Sequence, residues 1–164
     1  MTKKNLKFSV ITLRDVEKSD LPIFFENQLD PEAIYMAGFT AKDPADRAAF
    51  DQHWTKVLAD ESIFIKTILV SGEVAGSVLS HCWFGDPEVS YWIGKVYWGK
   101  GIATRALKLF LEGFSVRPLY ARIIIDNHAS KRVLEKCGFV AHGKDQGFAN
   151  ARGMEVEEYI FKLS

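Results

Sequence analysis

The chain has 164 residues, and its 21 Lys and Arg residues balance its 21 Asp and Glu residues. This length suits one domain with a sizeable core, and the balanced charge argues against nucleic acid or an anionic membrane as a partner. The two cysteines, Cys82 and Cys137, are far apart and lack the spacing of zinc ligands or of a disulfide scaffold. The basic start is not followed by an apolar segment, so we expect a cytoplasmic protein that forms a single domain over residues 1–164.

The N-terminal third predicts one strand and two helices. Alternating side chains predict a strand from Phe8 to Leu13. Ser19 and Asp20 are suitable N-cap residues for a short helix with an aromatic face, which ends at Asp30. Apolar residues then recur at helical spacing from Ala45 to Leu58 and predict a second helix, whereas the stretch between the two helices shows no clear period.

The central part of the chain predicts an antiparallel meander of three strands. Ile and Phe are frequent from Ser62 to Val70, and a Ser-Gly-Glu turn leads into a second strand from Val74 to Phe84. A Gly-Asp-Pro turn then leads into the third strand, from Glu88 to Ile93.

After the meander the pattern changes to a parallel unit. An amphipathic helix is predicted from Ile102 to Ser115, followed by a strand from Tyr120 to Asp126 with a continuous β-branched run. A strand, a helix and a strand in this order imply a right-handed parallel crossover. Two last strands, Phe139 to His142 and Val156 to Leu163, are separated by a polar segment that we expect to be a loop, from Gly143 to Gly153.

Two glycines precede the amphipathic helix at the point where the third strand of the meander has ended. Gly99 and Gly101 bracket Lys100 directly before Ile102. Glycines let the backbone aim its N–H groups at one point, and the helix adds its free N-terminal amides and the positive end of its dipole. A phosphate-binding loop has this geometry, but an ordinary turn between a strand and a helix can have the same sequence. A nucleotide-binding loop would continue with Gly-Lys-Ser or Gly-Lys-Thr, which this chain lacks.

A second motif runs from Asn127 to Phe139. Asn127 or Ser130 is suited to cap a short helix, and Gly138 is suited to the left-handed residue that ends it. Capping by itself explains these residues. Together with Trp98-Gly99-Lys100-Gly101-Ile102-Ala103, however, this motif resembles the GNAT N-acetyltransferase superfamily. The lead-in Tyr91-Trp92-Ile93-Gly94 is most similar to the Rim-type branch, which includes N-terminal acetyltransferases of ribosomal proteins.

The resemblance implies an α+β fold with a central mixed, mostly antiparallel sheet of about seven strands, flanked by about four helices. In this fold the strand from Glu88 to Gly94 would splay away from the strand from Tyr120 to Asp126. Acetyl-CoA would be the co-substrate, without a metal, and an amine would be the acceptor. The residues that the resemblance places at the cofactor are Trp92, Ile93, Gly94, Lys95, Trp98, Gly99, Lys100, Gly101, Ile102, Ala103, Thr104, Asn127 and Ser130.

The resemblance also implies that the amine attacks the thioester directly, after it has lost a proton. Glu88 is the favoured base, and His81 and Asp126 are weaker candidates. A main-chain N–H near Ile93 or Gly94 would stabilise the oxyanion.

Ser130 matches the hydroxyl position expected to protonate the thiolate, and Asn127 would orient the pantetheine arm or a water. Two positions depart from the family pattern: Leu134 stands where many members have a Tyr acid, and Trp98 stands where an Arg or Gln is common. Cys137 is expected to be a core residue and not a nucleophile.

The sequence leaves three points open. A relative that binds acyl-CoA as a sensor without turnover would share the two motifs, and Lys131, Arg132 and Lys136 would suit a ribosome- or RNA-binding module. The acceptor could be a peptide N-terminus, a polyamine or another small amine, and a homodimer is one assembly compatible with the sequence. The remaining point concerns aromatic residues that could be core or the wall of an acceptor pocket, namely Phe24, Phe25, Tyr35, Phe39 and Trp54.

Overall fold

The computed structural model describes residues 9–164 and contains one mixed sheet with helices on both faces. Within this range the strands are β1 (Ile11–Arg14), β2 (Phe64–Val70), β3 (Glu73–His81), β4 (Glu88–Ile93), β5 (Leu119–Ile124), β6 (Val140–Ala149) and β7 (Met154–Leu163). The α-helices are α1 (Leu21–Asn27), α2 (Pro31–Ala37), α3 (Arg47–Ala59), α4 (Ile102–Gly113) and α5 (His128–Lys136). None of the helices in this range is long and apolar enough to cross a membrane.

The order of the strands is β1-β2-β3-β4-β5-β7-β6, and every neighbouring pair except β4 and β5 is antiparallel. The parallel pair is in register at Glu88 and Tyr120, and no further register pair follows along the described strands. Among the described residues β4 and β5 pair only at this point, so their carboxyl ends, which lie at the same edge, are apart and leave a gap in the sheet, which we call the β4–β5 cleft. The predicted mixed, mostly antiparallel sheet with a splay at this place is confirmed.

The two faces of the sheet are covered by different helices. α4 and α5 bury Phe110 and Leu134 against strand residues such as Val89. On the other face, Phe24 of α1 and Trp54 of α3 are buried together. The β4–β5 cleft therefore has a floor formed by α4 and α5, while α1, α2 and α3 lie on the opposite face.

Two elements differ from the sequence-based prediction. The seven-residue helix α2 was not predicted, because a helix of under two turns is too short to show a period. It brings the described α-helices to five. β6 extends to Ala149 and thus occupies most of the segment predicted as a loop. β6 pairs with β7 alone and is almost wholly exposed, so its residues are polar on both faces and give no strand alternation. β1 begins at Ile11, and residue 8, predicted to start this strand, lies outside the described range.

Asp20 precedes α1 as predicted, but its side chain does not cap the helix. The carboxylate is 1% exposed and accepts two hydrogen bonds from Arg14, at 2.7 and 2.8 Å. It also accepts from the Thr67 hydroxyl at 2.7 Å and from the Glu17 N–H at 2.9 Å. Burial alone would raise the pKa of Asp20, but Arg14 and the hydrogen bonds hold it below its usual value. This ion pair joins β1, β2 and the start of α1.

We expect Asp20→Asn to lower the free energy of unfolding by about 3 kcal/mol, because it breaks an ion pair with Arg14 whose carboxylate is buried and accepts four hydrogen bonds. The matched control is Asp51→Asn, which breaks the exposed pair between Arg47 and Asp51 and should cost less than about 0.5 kcal/mol. Denaturant unfolding measures both.

The pH dependence of the free energy of unfolding tests whether the ion pair between Asp20 and Arg14 stabilises the fold. The pKa of Asp20 is lower in the folded protein, so its stabilisation is present above the unfolded value of about 3.9 and is lost as the pH falls below it. The stability difference between wild type and Asp20→Asn should therefore narrow towards acid pH. Equal losses for the two Asn variants at neutral pH would contradict the assignment.

Candidate functional site

The edge of β4 carries backbone groups that face the β4–β5 cleft. The Gly94 N–H donates to the Ala75 carbonyl at 2.9 Å, so Gly94 is bonded to β3. Because backbone groups alternate in direction along an antiparallel ladder, the N–H groups of Tyr91 and Ile93 point to the other side, where β5 has moved away. Of the two N–H groups expected to stabilise an oxyanion, the structure therefore leaves that of Ile93, since that of Gly94 is already engaged.

The loop after β4 is held by its own side chains. The Trp98 indole N–H donates to the Ile93 carbonyl at 2.8 Å, and the Lys100 ammonium group donates to the carbonyls of Val96 and Trp98, each at 3.2 Å. Lys95 forms an ion pair with Glu32 of α2 at 2.7 Å. Trp98, Lys95 and Lys100 thus contribute to the shape of the loop and fasten it to α2.

The two loop glycines form an open cradle at the start of α4. Gly99 and Gly101 have φ values of +71° and +74°, in the left-handed region that favours glycine. A Cβ placed at either residue would meet no atom within 4 Å. The first backbone bond of α4 runs from the Arg105 N–H to the Gly101 carbonyl, and no side chain of the described range caps the helix. The amides that precede Arg105 in the first turn therefore lack helical acceptors and point towards the cradle.

The second motif lies on the opposite side of the cleft, at the start of α5. Asn127, and not Ser130, is the N-cap, because its side-chain oxygen accepts from the Ser130 N–H at 3.2 Å. The Asn127 amide also donates to the Met36 carbonyl of α2, at 3.3 Å. The Ser130 hydroxyl oxygen accepts a hydrogen bond from the Tyr91 hydroxyl of β4, at 3.1 Å. Side chains from both strands of the cleft therefore meet at Ser130.

Glu88 is at the closed end of the cleft and is 4% exposed. Its carboxylate lies 3.0 Å from Nε of Arg122, which also forms ion pairs with Asp145 at 2.8 Å and Glu158 at 2.9 Å. Burial raises the pKa of Glu88, Arg122 opposes the increase, and Glu158 adds to it. A carboxylate with a raised pKa is a better proton acceptor from an ammonium group than an ordinary Glu.

The two weaker candidates for the base have lowered pKa values. Burial lowers the pKa of His81 to about 4, and its Nδ1 accepts a hydrogen bond from the Trp83 N–H at 3.3 Å. Asp126 accepts two hydrogen bonds from Arg152, at 2.9 and 3.0 Å, which lower its pKa. Both groups are weak proton acceptors at neutral pH, so Glu88 remains the favoured base.

The mouth of the cleft is bordered by a wall formed by α2 with the segment after it and by the β6–β7 turn, and the sequence did not reveal the contacts of Arg152 that join them. The Arg152 guanidinium lies 3.5 Å from the centre of the Tyr35 ring and donates to the Tyr35 carbonyl at 2.8 Å. The Ala151 N–H donates to the Gly38 carbonyl at 3.1 Å. Arg152 also binds Asp126, so it connects this wall to the end of β5. The segment after β6 carries no motif, and its partner Tyr35 is 117 residues away in the sequence.

The aromatic residues divide between core and surface. Phe24 and Trp54 are core residues, and Phe25 is partly buried beside them. Tyr35 and Phe39 are 51% and 42% exposed and belong to the wall, as an acceptor pocket would require. Cys137 is partly buried, and burial raises the pKa of its thiol, which agrees with a packing role.

The fold and the two motifs define a class of transferase, and comparisons with known proteins agree. RimJ of Mycobacterium smegmatis, in a structure with CoA-disulfide, superimposes with a TM-score of 0.79 at 20% identity, over 94% of this chain and 81% of that chain. A spermidine N(1)-acetyltransferase of Escherichia coli (strain K12) is 30% identical over 82% of this chain and 75% of its own length. An N-acetyltransferase named p20, from Bacillus licheniformis, is 24% identical over 93% of this chain and 92% of its own length.

The sequence model of the acetyltransferase (GNAT) domain matches residues 11–140. The chain belongs to the GNAT acetyltransferase family. The family predicted from the two motifs is thereby confirmed.

We expect Arg152→Gln to loosen the wall without unfolding the protein, because it removes charge-assisted hydrogen bonds worth about 1.5–3 kcal/mol. Hydrogen exchange of the Ala151 amide should become at least about tenfold faster. Arg117→Gln is the control, since the described hydrogen bonds of Arg117 go to carbonyls at the end of α4. Unchanged exchange at Ala151 in Arg152→Gln would show that Arg152 does not hold the wall.

Proposed function

We propose that this chain transfers the acetyl group of acetyl-CoA to a primary amine by direct attack of the amine on the thioester. The observation that carries the proposal is the β4–β5 cleft, which has backbone donors along β4 and a cradle of free amides at the start of α4. GNAT family membership supports the acetyltransferase chemistry, and the site residues named below are part of the proposal.

The cradle suits the pyrophosphate of CoA in charge and in shape. The amides from Gly99 to Thr104 and the N-terminal end of the α4 dipole would hold the two phosphates. The open space at Gly99 and Gly101 is where a Cβ would compete with a phosphate oxygen. The backbone of Tyr91 and Ile93 would pair with the pantetheine arm as a missing strand would, with Asn127 and Ser130 on the far side.

Glu88 would accept the proton of the ammonium group, directly or through a water, because burial has raised its pKa. The neutral amine then attacks the thioester carbonyl, and the Ile93 N–H would stabilise the oxyanion. When the intermediate collapses, the C–S bond breaks, its electron pair leaves on sulfur, and the nitrogen loses its second proton to water.

The charge around Glu88 favours a cationic acceptor. Glu88, Asp145 and Glu158 face a single cation, Arg122, and Asp86 adds a further negative charge that acts on Glu88. An ammonium group that approaches this region is attracted before it loses its proton. A polyamine, a peptide N-terminus and a small amine all satisfy this requirement. Spermidine acetyltransferase is the activity named for one relative.

We expect acetyl-CoA and CoA to raise the Tm by at least about 5 °C at concentrations about 100-fold above their Kd. Gly101→Ala should remove most of this shift, because its Cβ would enter the cradle. Gly72→Ala is the matched control: Gly72 has a φ of +82° and equal free space, but it lies in the β2–β3 turn. Both variants should lose stability without ligand, since left-handed backbone costs a Cβ-bearing residue roughly 1–2 kcal/mol.

ATP and NAD are the ligand controls in the same thermal-shift experiment. Stabilisation by ATP or NAD and not by CoA compounds would refute an acyl-CoA site. An equal loss of the CoA shift in the two Ala variants would refute the cradle.

Glu88→Gln should lower kcat/KM about 100-fold or more with an accepted amine, because general-base catalysis typically contributes 10²–10⁴-fold. In the wild type, kcat/KM should fall as the pH drops through the raised pKa of Glu88, and the variant should lack this limb of the profile. Glu157→Gln, at an exposed site on β7, is the control. Thiol release against a panel of spermidine, peptide amines and small amines is the assay.

The panel also separates the alternatives predicted from the sequence. Binding of acetyl-CoA without thiol release for any amine would indicate a sensor. Binding of RNA that requires Lys131, Arg132 and Lys136 would indicate a ribosome-associated module.

A further inference from the structure

We propose that Tyr91 is a positioning residue that holds the Ser130 hydroxyl as a hydrogen-bond donor to the departing CoA sulfur. This inference rests on the proposed function and adds to it the residue that orients the hydroxyl expected at the leaving thiolate.

The geometry begins with the Tyr91 hydroxyl, which reaches from β4 to α5 and donates to the Ser130 hydroxyl oxygen at 3.1 Å. The bond crosses the β4–β5 cleft on the side of α4 and α5, and therefore lies at the floor of the cleft, below the path proposed for the pantetheine arm. Its two residues belong to the two structural units that the cleft separates.

Ser130 has its other polar groups fixed. Its N–H donates to the Asn127 side chain, and its oxygen accepts from Tyr91. A serine hydroxyl can accept and donate at the same time, and the described residues provide no acceptor for the Ser130 hydrogen. Tyr91 thus directs the lone pair of Ser130 towards itself and leaves the hydrogen for an acceptor inside the cleft.

The surroundings keep Tyr91 in the donor state. Burial raises the pKa of Tyr91 to about 12, so the phenol is protonated at neutral pH. Cys137, at the end of α5, is the titratable side chain that acts on this hydroxyl, and its own pKa is raised by burial. Tyr91 itself packs against the apolar cluster that includes Ile93, Ile102 and Leu134.

The chemical step that uses this donor is the collapse of the tetrahedral intermediate. The C–S bond breaks, the electron pair goes to sulfur, and the Ser130 O–H donates a hydrogen bond to the resulting thiolate. No proton leaves Ser130 or Tyr91. Glu88 accepts the first amine proton before the attack, the second leaves the nitrogen of the intermediate to water, and the thiolate takes a proton from solvent after release. A hydrogen bond to an anion in an apolar cleft is about twice as strong as a neutral one, so this donor favours the transition state.

The test measures the pKa of the thiol of bound CoA from the ultraviolet absorbance of the thiolate, which requires only binding. In the wild type we expect this pKa to be lower than that of free CoA by about 1, the effect of one hydrogen bond to an anion. Tyr91→Phe and Ser130→Ala should each raise it towards the free value, and the double variant should not exceed Ser130→Ala. Ser130→Thr retains the hydroxyl and should retain both the lowered pKa and the dependence on Tyr91.

Turnover provides the second readout. The kcat of thiol release should fall about tenfold in Tyr91→Phe and in Ser130→Ala, with the KM for the amine and the Kd of acetyl-CoA within about twofold of wild type. The double variant should again match Ser130→Ala. Tyr159→Phe is the control, because Tyr159 also packs against the α4 and α5 face but its described contacts are through the ring.

Four outcomes overturn the inference. If Tyr91→Phe lowers the Tm but leaves the thiol pKa and kcat unchanged, the hydrogen bond of Tyr91 only connects β4 to α5. Effects of Tyr91→Phe and Ser130→Ala that multiply in the double variant would show independent roles. CoA that binds the wild type with an unshifted thiol pKa would refute the hydrogen bond alone, whereas failure to bind CoA would refute the proposed function and this inference with it.

Discussion

The separation of β4 from β5 after Glu88 and Tyr120 is the constraint on which the site depends. Two neighbouring strands that part inside a sheet leave backbone donors and acceptors without a ladder partner, and such groups are costly to bury unless a ligand or water meets them. Here they line an open cleft floored by the apolar side chains of α4 and α5. The break thus lies beside the start of α4 at Gly101, which no side chain of the described range caps, and in the proposed function an extended amide chain with its phosphates would meet both sets of backbone groups.

The break also sets the electrostatics of the site. At the point where β4 and β5 still touch, Glu88 is buried beside Arg122, and the same arginine binds Asp145 of β6 and Glu158 of β7. One cation shared among three carboxylates leaves this region negative, and burial keeps the pKa of Glu88 raised. At the other end, where the strands are apart, Arg152 binds Asp126 and Tyr35 and so fixes the wall of α2 across the mouth. The cleft is therefore acidic at its closed end, and hydrogen bonds of Arg152 hold its wall in place at its open end.

Much of the fold could be predicted because several elements carry strong local signals. β4 begins and ends as predicted, and α4 begins at Ile102, since glycines and apolar periodicity mark these boundaries in the chain itself. Two elements were missed or cut short for physical reasons: α2 is too short to show a period, and β6 begins near the strand predicted from Phe139 but continues to Ala149 through exposed, mostly polar residues. Asp20 shows a third kind of limit, because a carboxylate suited to cap a helix forms a buried ion pair with Arg14 instead. Local sequence propensity cannot predict a contact with a residue that is distant in the chain.

The sequence by itself determined the two motifs, the order of the elements around them and the family that they indicate, because glycine conformations and helix caps depend on neighbouring residues. Only the tertiary structure decided which side chains meet. The Tyr91 and Ser130 hydroxyls are 39 residues apart, and Arg152 and Asp126 are 26 residues apart, yet each pair is in hydrogen-bond contact. The packing of β5, α5 and the β6–β7 turn around one gap in the sheet brings these groups together, and no local pattern encodes that packing.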